Sequence, residues 1–402
     1  MLRNLTNLLL MPLALFILIS HSAFSNELIT NPQLKEWVKT NKEQLIGVVV
    51  NSDGGIDRTT TNLEALSKIK YLDCSNSKLI SIDELIRNMP NLETLECSNN
   101  SLTELDLNKN IELEILDCYN NQLTKLDVSK NKKLTRLACS DNQLTNLDLS
   151  KNVQLKTLAC HNNQLANLDL SKNIDLEKLA CWMNKLTKLD LSKNVELELL
   201  ICHNNQLTNL DVSKNIELEV LDCSQNQLTN LNLSKNIELE TLVCSQNQLS
   251  SLDVSKNIQL TYLKCSINLL NKLDVSNNIK LKTLYSWSNQ LTSLNVSKNI
   301  KLTVLACYGN KLTNLDISNN IKLDSLICHN NQLHKLDVSK NIKLTLLSCP
   351  NNQLSILDIS PLPYLKTLYC CNQAEGFILY LTNEQKSKLT EKNYCNAILK
   401  IK

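Results

Sequence analysis

Residues 113–133 read LEILDCYNNQLTKLDVSKNKK, and the middle of the chain repeats this 21-residue unit with few departures. Its cysteine recurs at positions 97, 118, 139, 160, 181, 202, 223, 244 and 265, each 21 residues after the last. Ser286 occupies the next slot, Cys307, Cys328, Cys349 and Cys370 continue the series, and Cys74 precedes it by a step of 23. A period this regular outweighs chain length as a guide to architecture, because each unit becomes one turn of a stacked array. Within the unit, Leu116 and Cys118 alternate with Ile115 and Asp117, the period of two of a short strand with one face inward. Leu126 and Val128 around Asp127 repeat the alternation, so a second short parallel strand per turn is expected. No part of the unit has the length of a helix.

Asn121 and Asn131 fall where the chain must turn. Asparagine tolerates left-handed backbone geometry and its side chain pairs with backbone groups, which accounts for a solenoid with so little glycine. One rung carries about seven apolar side chains, each contributing about 1.5–3 kcal/mol on burial. Ordering its residues costs roughly 1.5 kcal/mol each. A rung therefore cannot stand alone, and stacking must supply the stability.

Arrays need lids. Ahead of the repeats, Asn31-Pro32 and the amphipathic run Leu34, Trp37, Val38 and Leu45 predict a capping helix near 32–44, with Leu45, Val48 and Val50 as a degenerate first strand. Behind them, Gly376 to Leu381 reads as a strand, Asn383 to Glu391 as a helix and Ala397 to Ile401 as a strand. At the N-terminus, Arg3, the apolar run Leu8 to Ile19 and the small residues around Ala23-Phe24-Ser25 form the pattern of a cleaved secretory signal. The expected layout is a signal over 1–25, an N-terminal cap over 26–68, repeats over 69–370 and a C-terminal cap over 371–402.

A net charge of +2 gives no basic field for nucleic acid. No segment after the signal is long and apolar enough to span a membrane, so the mature chain is expected in solution. Equivalent residues on adjacent rungs lie about 4.8 Å apart, side chains parallel, so neighbouring ladder cysteines should stay unpaired and act as compact apolar filling. Cys371 should point outward, and a bond from it to Cys395 in the C-terminal lid is a candidate clasp. The constant spacing offers no close cysteine and histidine group for a metal. The aspartate slot, from Asp106 to Asp358, becomes Asn232 and Asn295 in two rungs, which fits an acceptor for backbone N–H groups better than a calcium ladder. No phosphate loop, nucleophile elbow or paired catalytic carboxylate is visible, so neither enzyme activity nor a cofactor is expected.

The unit LxxLxCxxNxLxxLDLSxNxx, with Asn in one slot through thirteen units from Asn100 to Asn352, resembles the 21-residue bacterial leucine-rich repeat of the IRREKO type. The resemblance spans residues 69 to 370. It implies a mainly β, right-handed solenoid of short parallel strands with a small helical N-terminal cap and an α/β C-terminal cap. It also implies an exported or surface-located binding module, linked to adhesion or contact with a host.

Residues pointing outward from the strands should build a concave wall. The column before the ladder residue includes Asp117, Ala138, Ala159, Ala180, Ile201, Asp222 and Tyr285. The column after it carries Tyr119, Ser140, His161, Trp182 and His203, then three serines, then Trp287, Tyr308 and His329. Two of three tryptophans and three of five histidines in the chain fall in this one column, although leucine and cysteine already fill the core. Two contact patches follow, His161/Trp182/His203 and Trp287/Tyr308/His329, beside the wall at Ile201 and Tyr285, with Tyr119 further up. Aromatics on a rigid sheet give large contact area for little lost entropy. A protein partner is the leading expectation, a glycan stacked on Trp182 and Trp287 the second and a structural envelope role the third, with the chain itself a monomer. Lysines precede the second asparagine, and three residues after them lies a charged column: Asp175, Glu196, Glu217 and Glu238 give way to Lys280, Lys301, Lys322 and Lys343, one acidic and one basic end on one face.

Overall fold

The computed structural model describes residues 26–388 and 390–402; the expected signal lies outside them. Fifteen three-residue strands, from Tyr71–Asp73 to Thr367–Tyr369, join in chain order into one parallel sheet, one strand per turn. Register is uniform: Leu116 pairs with Leu137, Leu137 with Leu158, and Leu158 with Leu179. Hydrogen bonding continues past each strand, as Cys118 N–H donates to the Ala138 carbonyl at 2.8 Å and Asn120 N–H to that of Ser140 at 3.0 Å. The central leucines, the cysteines and the leucines of the second half form a continuous core. Every ladder cysteine is buried with a free thiol, and Ser286 is buried in the same slot. Burial disfavours the thiolate and pushes Cys139 up to about 12.

The two asparagines act through their side chains. Asn121 Nδ2 donates to the carbonyls of Cys97 and Cys118 at 3.0 and 3.1 Å, while its Oδ1 accepts the Leu102 N–H at 3.0 Å. Asn131 Nδ2 donates to the Leu107 and Asn110 carbonyls at 3.2 and 2.7 Å, and its buried Oδ1 has no hydrogen-bond partner. Neither has left-handed geometry. That conformation belongs to the residue before the first asparagine, where Asn120, Asp141, Met183 and Ile267 have φ between 50° and 54°.

The expected second strand per turn forms only once, at Ile356–Asp358. The turn after this segment is alike in both cases: Asp127 Oδ1 accepts the Ser129 N–H at 2.9 Å, and in the rung that does form the strand Asp358 Oδ1 accepts the Ser360 N–H at 3.0 Å. The same contact holds the Asp127 carboxyl below its ordinary value, and Asn232 and Asn295 keep it. At Ile356–Asp358 the C-terminal lid lies alongside and supplies the missing partner, Ile378–Leu381, which in turn pairs with Ile398–Ile401.

At the N-terminal end, α1 (Pro32–Thr40) is capped by Asn31, whose side chain accepts from Leu34 N–H, and buries Leu34, Trp37 and Val38. Val50 makes an antiparallel bridge with Ile56 rather than a first strand of the sheet. Two helices were not signalled by the repeat: α2 (Thr60–Ser67), and α3 (Asp83–Ile86), which uses the extra residues of the 23-residue step. In the C-terminal lid, α4 (Asn383–Lys388) and α5 (Glu391–Tyr394) replace the single expected helix. A disulfide joins Cys371 to Cys395. Among the described residues no helix is long and apolar enough to cross a membrane.

Candidate partner-binding surface

Alternation along each rung fixes what is displayed. In the strand Lys178–Ala180 and its continuation, Leu179 and Cys181 point into the core, while Ala180 and Trp182 lie on the other side. Uniform register then stacks equivalent side chains of successive rungs. His161 lies on Trp182 with centroids 4.2 Å apart and an interplanar angle of 11°, and Trp182 lies on His203 at 5.0 Å and 16°. The second patch repeats the arrangement: Trp287 on Tyr308 at 5.0 Å and 7°, Tyr308 on His329 at 4.3 Å and 16°. The structure thus brings both expected triplets together as ring stacks, half-buried and mounted on a hydrogen-bonded backbone. Between them Ser224, Ser245 and Ser266 are buried. That gap covers four rung steps, about 19 Å.

Both faces of Trp182 and of Tyr308 are covered by neighbouring rings, so these two display edges. Trp287 is stacked on the Tyr308 side, and its other side faces the small Ser266 rung. The remaining expected residues are dispersed. Tyr119 is half-buried and separated from the first stack by Ser140. Ile201 sits beside His203 on the wall. Tyr285 leans on Tyr262 at 5.9 Å with a 58° tilt. Tyr262 is the ring that the sequence reading missed; it occupies the outward column three before the cysteine, which also holds Arg136. The wall is less open than expected, because Ala138 and Ala306 are buried.

Two of the histidines, His161 and His329, are pushed toward the neutral form. Burial lowers the His161 pKa; Asp141, whose carboxylate is 3.6 Å from Nε2, opposes this only partly, and His203 adds to the lowering. Geometry alone would class His161–Asp141 as an ion pair, yet partial desolvation of the ring is the larger effect. Burial also lowers His329, whose Nδ1 is 3.4 Å from Ser348 Oγ. Arg136 grips Asp117 through two bonds of 3.1 and 3.2 Å beside Tyr119. Among the described residues no cluster of three metal-ligating side chains occurs.

The functional domain of InlJ from Listeria monocytogenes, described as including a cysteine ladder, is 38% identical, with a TM-score of 0.77, over 81% of this chain and 71% of that one. The chain belongs to the bacterial leucine-rich-repeat proteins. A second member, YopM from Yersinia enterocolitica, is 26% identical, with a TM-score of 0.58, over 83% of this chain and 74% of its own. The solenoid extends to a plant peptide hormone receptor, RGFR1, solved in complex with RGF2, at 20% identity and a TM-score of 0.70 over 79% of this leucine-rich-repeat chain and 57% of the receptor. That last likeness is one of fold. No family model and no curated protein matches the chain.

Proposed function

We propose that this leucine-rich-repeat protein is an exported, non-enzymatic binding protein that holds a protein partner on the ladder face of its sheet, in adhesion or contact with a host. The observation that carries the reading is the pair of ring stacks: two of the chain's three tryptophans and three of its five histidines stand in one outward column and stack there. Stacked rings on a hydrogen-bonded backbone have little entropy left to lose, which is what an interface anchor requires. Tyr119, Ile201 and Tyr285 would extend the contact, and the serine gap would admit a protruding loop or strand. The export reading rests on the pattern of residues 1–25. The hormone receptor with its bound peptide supports a protein ligand for this fold.

A glycan is the less favoured partner, since a sugar ring needs an open aromatic face and Trp182 has a histidine on each side. The test is capture of proteins by the immobilised chain with mass-spectrometric identification, beside a glycan array. A protein retained by wild type and lost with the Trp182→Ala/Trp287→Ala double variant supports the reading. Retention by the double variant, or saturable binding confined to glycans, refutes it.

A further inference from the structure

On the far half of each rung, the residue after the second asparagine stands out of the core. From Ile174 to Ile342 nine successive rungs each expose one isoleucine or valine there, to between 43% and 55%. A continuous aliphatic ridge about 38 Å long results, and continuous exposed apolar surface of this kind marks an interaction site. The rungs cannot splay far along it, because Asn side chains bridge them at 2.7–3.2 Å on this side as backbone bonds do on the strand side.

The next residue of each rung forms the charged column. It runs through four exposed acids from Asp175 to Glu238, then Gln259, then four exposed lysines from Lys280 to Lys343. Within one chain this order is unfavourable, since like charges stack at rung spacing. The same column shows that its side chains can pair across one step, for Lys133 bonds Glu112 one rung earlier. The blocks of one sign forgo that pairing.

We propose that a second copy of this chain covers the ridge, antiparallel, about a two-fold axis at Gln259. A two-fold interface matches each surface patch with itself reversed. That operation sets Asp175 against Lys343 and Glu238 against Lys280, with the intervening pairs in order, and sets Ile258 against its own copy. Every acid of the column then meets a lysine. On the other flank a lysine column precedes the ridge, and it changes to Asn277 and Asn319 at the two rungs that face Lys235 and Lys193. Both asparagines turn back onto their own chain, bonding the Ser255 and Ser297 carbonyls at 3.1 and 3.2 Å. Lys172, Lys214 and Lys256 still face lysines, at a hydrated rim where repulsion is screened. The proposal replaces the monomer expected from sequence, and it leaves the ring stacks free for a partner.

The test is light scattering on the exported chain at low salt and tens-of-micromolar concentration, where twice the mass of one chain is expected. A variant with Lys at 175, 196, 217 and 238 (Asp175→Lys, Glu196→Lys, Glu217→Lys, Glu238→Lys) should run as one chain. So should its complement (Lys280→Glu, Lys301→Glu, Lys322→Glu, Lys343→Glu), and mixing the two should restore the doubled mass. The single change Ile258→Lys, at the axis, should also halve the wild-type mass with the far-ultraviolet spectrum unchanged. A single-chain mass for wild type, doubled mass in either charge variant alone, or failure of the mixture to pair overturns the proposal.

Discussion

Replacing Asn226 by alanine should destabilise the protein far more than replacing Asn236, although both are buried amides ten residues apart in one rung. Asn226 is fully engaged: Oδ1 accepts Leu207 N–H at 2.9 Å, and Nδ2 reaches the carbonyls of Cys202, Cys223 and Ser224 at 3.1–3.2 Å. The Cys202 carbonyl keeps a second donor in Asn205, and that of Cys223 keeps one in Asn247. Leu207 N–H loses its partner outright. One orphaned buried donor costs about 1–3 kcal/mol, and the lost amide bonds about 1 kcal/mol each, so Asn226→Ala should cost about 3–5 kcal/mol. Asn236 donates to Val212 and Asn215 at 2.9 and 2.8 Å, and both carbonyls also accept backbone N–H groups. Its Oδ1 is buried without a partner, so truncation removes a standing penalty along with two bonds. The net cost should be about 0–1 kcal/mol. Both changes leave the same small void, which cancels in the comparison. In urea unfolding followed by circular dichroism, with a slope of about 3 kcal/mol per molar, the Asn226 variant should shift the midpoint down by about 1 M and the Asn236 variant by much less. Equal shifts would refute the assignment of the two ladders.

Other changes test other parts of the rung. Ile267 is a β-branched residue at φ 53°, so Ile267→Asn should stabilise by about 1 kcal/mol in the same urea assay; no gain would contradict the strain. Ser286 buries a hydroxyl without a partner, so Ser286→Cys should stabilise by about 1 kcal/mol, and a loss would show that the hydroxyl is satisfied. The His161 and His329 pKa values are depressed in the fold, so their contribution is complete above the free imidazole value of about 6.5 and is lost as pH falls through and below it. Melting temperatures of wild type should therefore fall from neutral to mildly acidic pH more steeply than those of His161→Phe/His329→Phe; parallel curves would contradict this. Ladder thiols should resist alkylation in the native state and react together on unfolding, with Cys371 and Cys395 recovered as a linked peptide pair.

The ladder was legible because a fixed period of 21 leaves one way to stack leucine, cysteine and asparagine, and Ser286 in the slot already argued for filling rather than bonding. The ring column was legible for the same reason, since register turns sequence spacing into spatial adjacency. Its consequence was not: spacing places Trp182 between two histidines but does not say that the rings lie flat on one another and hide its faces. The second strand is not legible because alternation in Leu126-Asp127-Val128 describes which side chains go inward, whereas strand pairing needs a backbone alongside, and only Ile356–Asp358, with the same turn bond, has one in Ile378–Leu381. Left-handed geometry was assigned to the asparagines on propensity, yet the backbone imposes it one residue earlier, even on Met183 and Ile267. The aliphatic ridge was concealed by its composition. In the segment Ser213-Lys214-Asn215-Ile216-Glu217-Leu218, Ile216 and Leu218 alternate around Glu217, but Asn215 turns inward and is fully buried, which forces its neighbour Ile216 outward to 51% exposure. A buried polar residue beside an exposed apolar one inverts the usual order, and it recurs along the ridge because each Asn amide points inward to bond two carbonyls where the chain turns. The rung therefore cannot bury that aliphatic side chain itself, and only a second surface can.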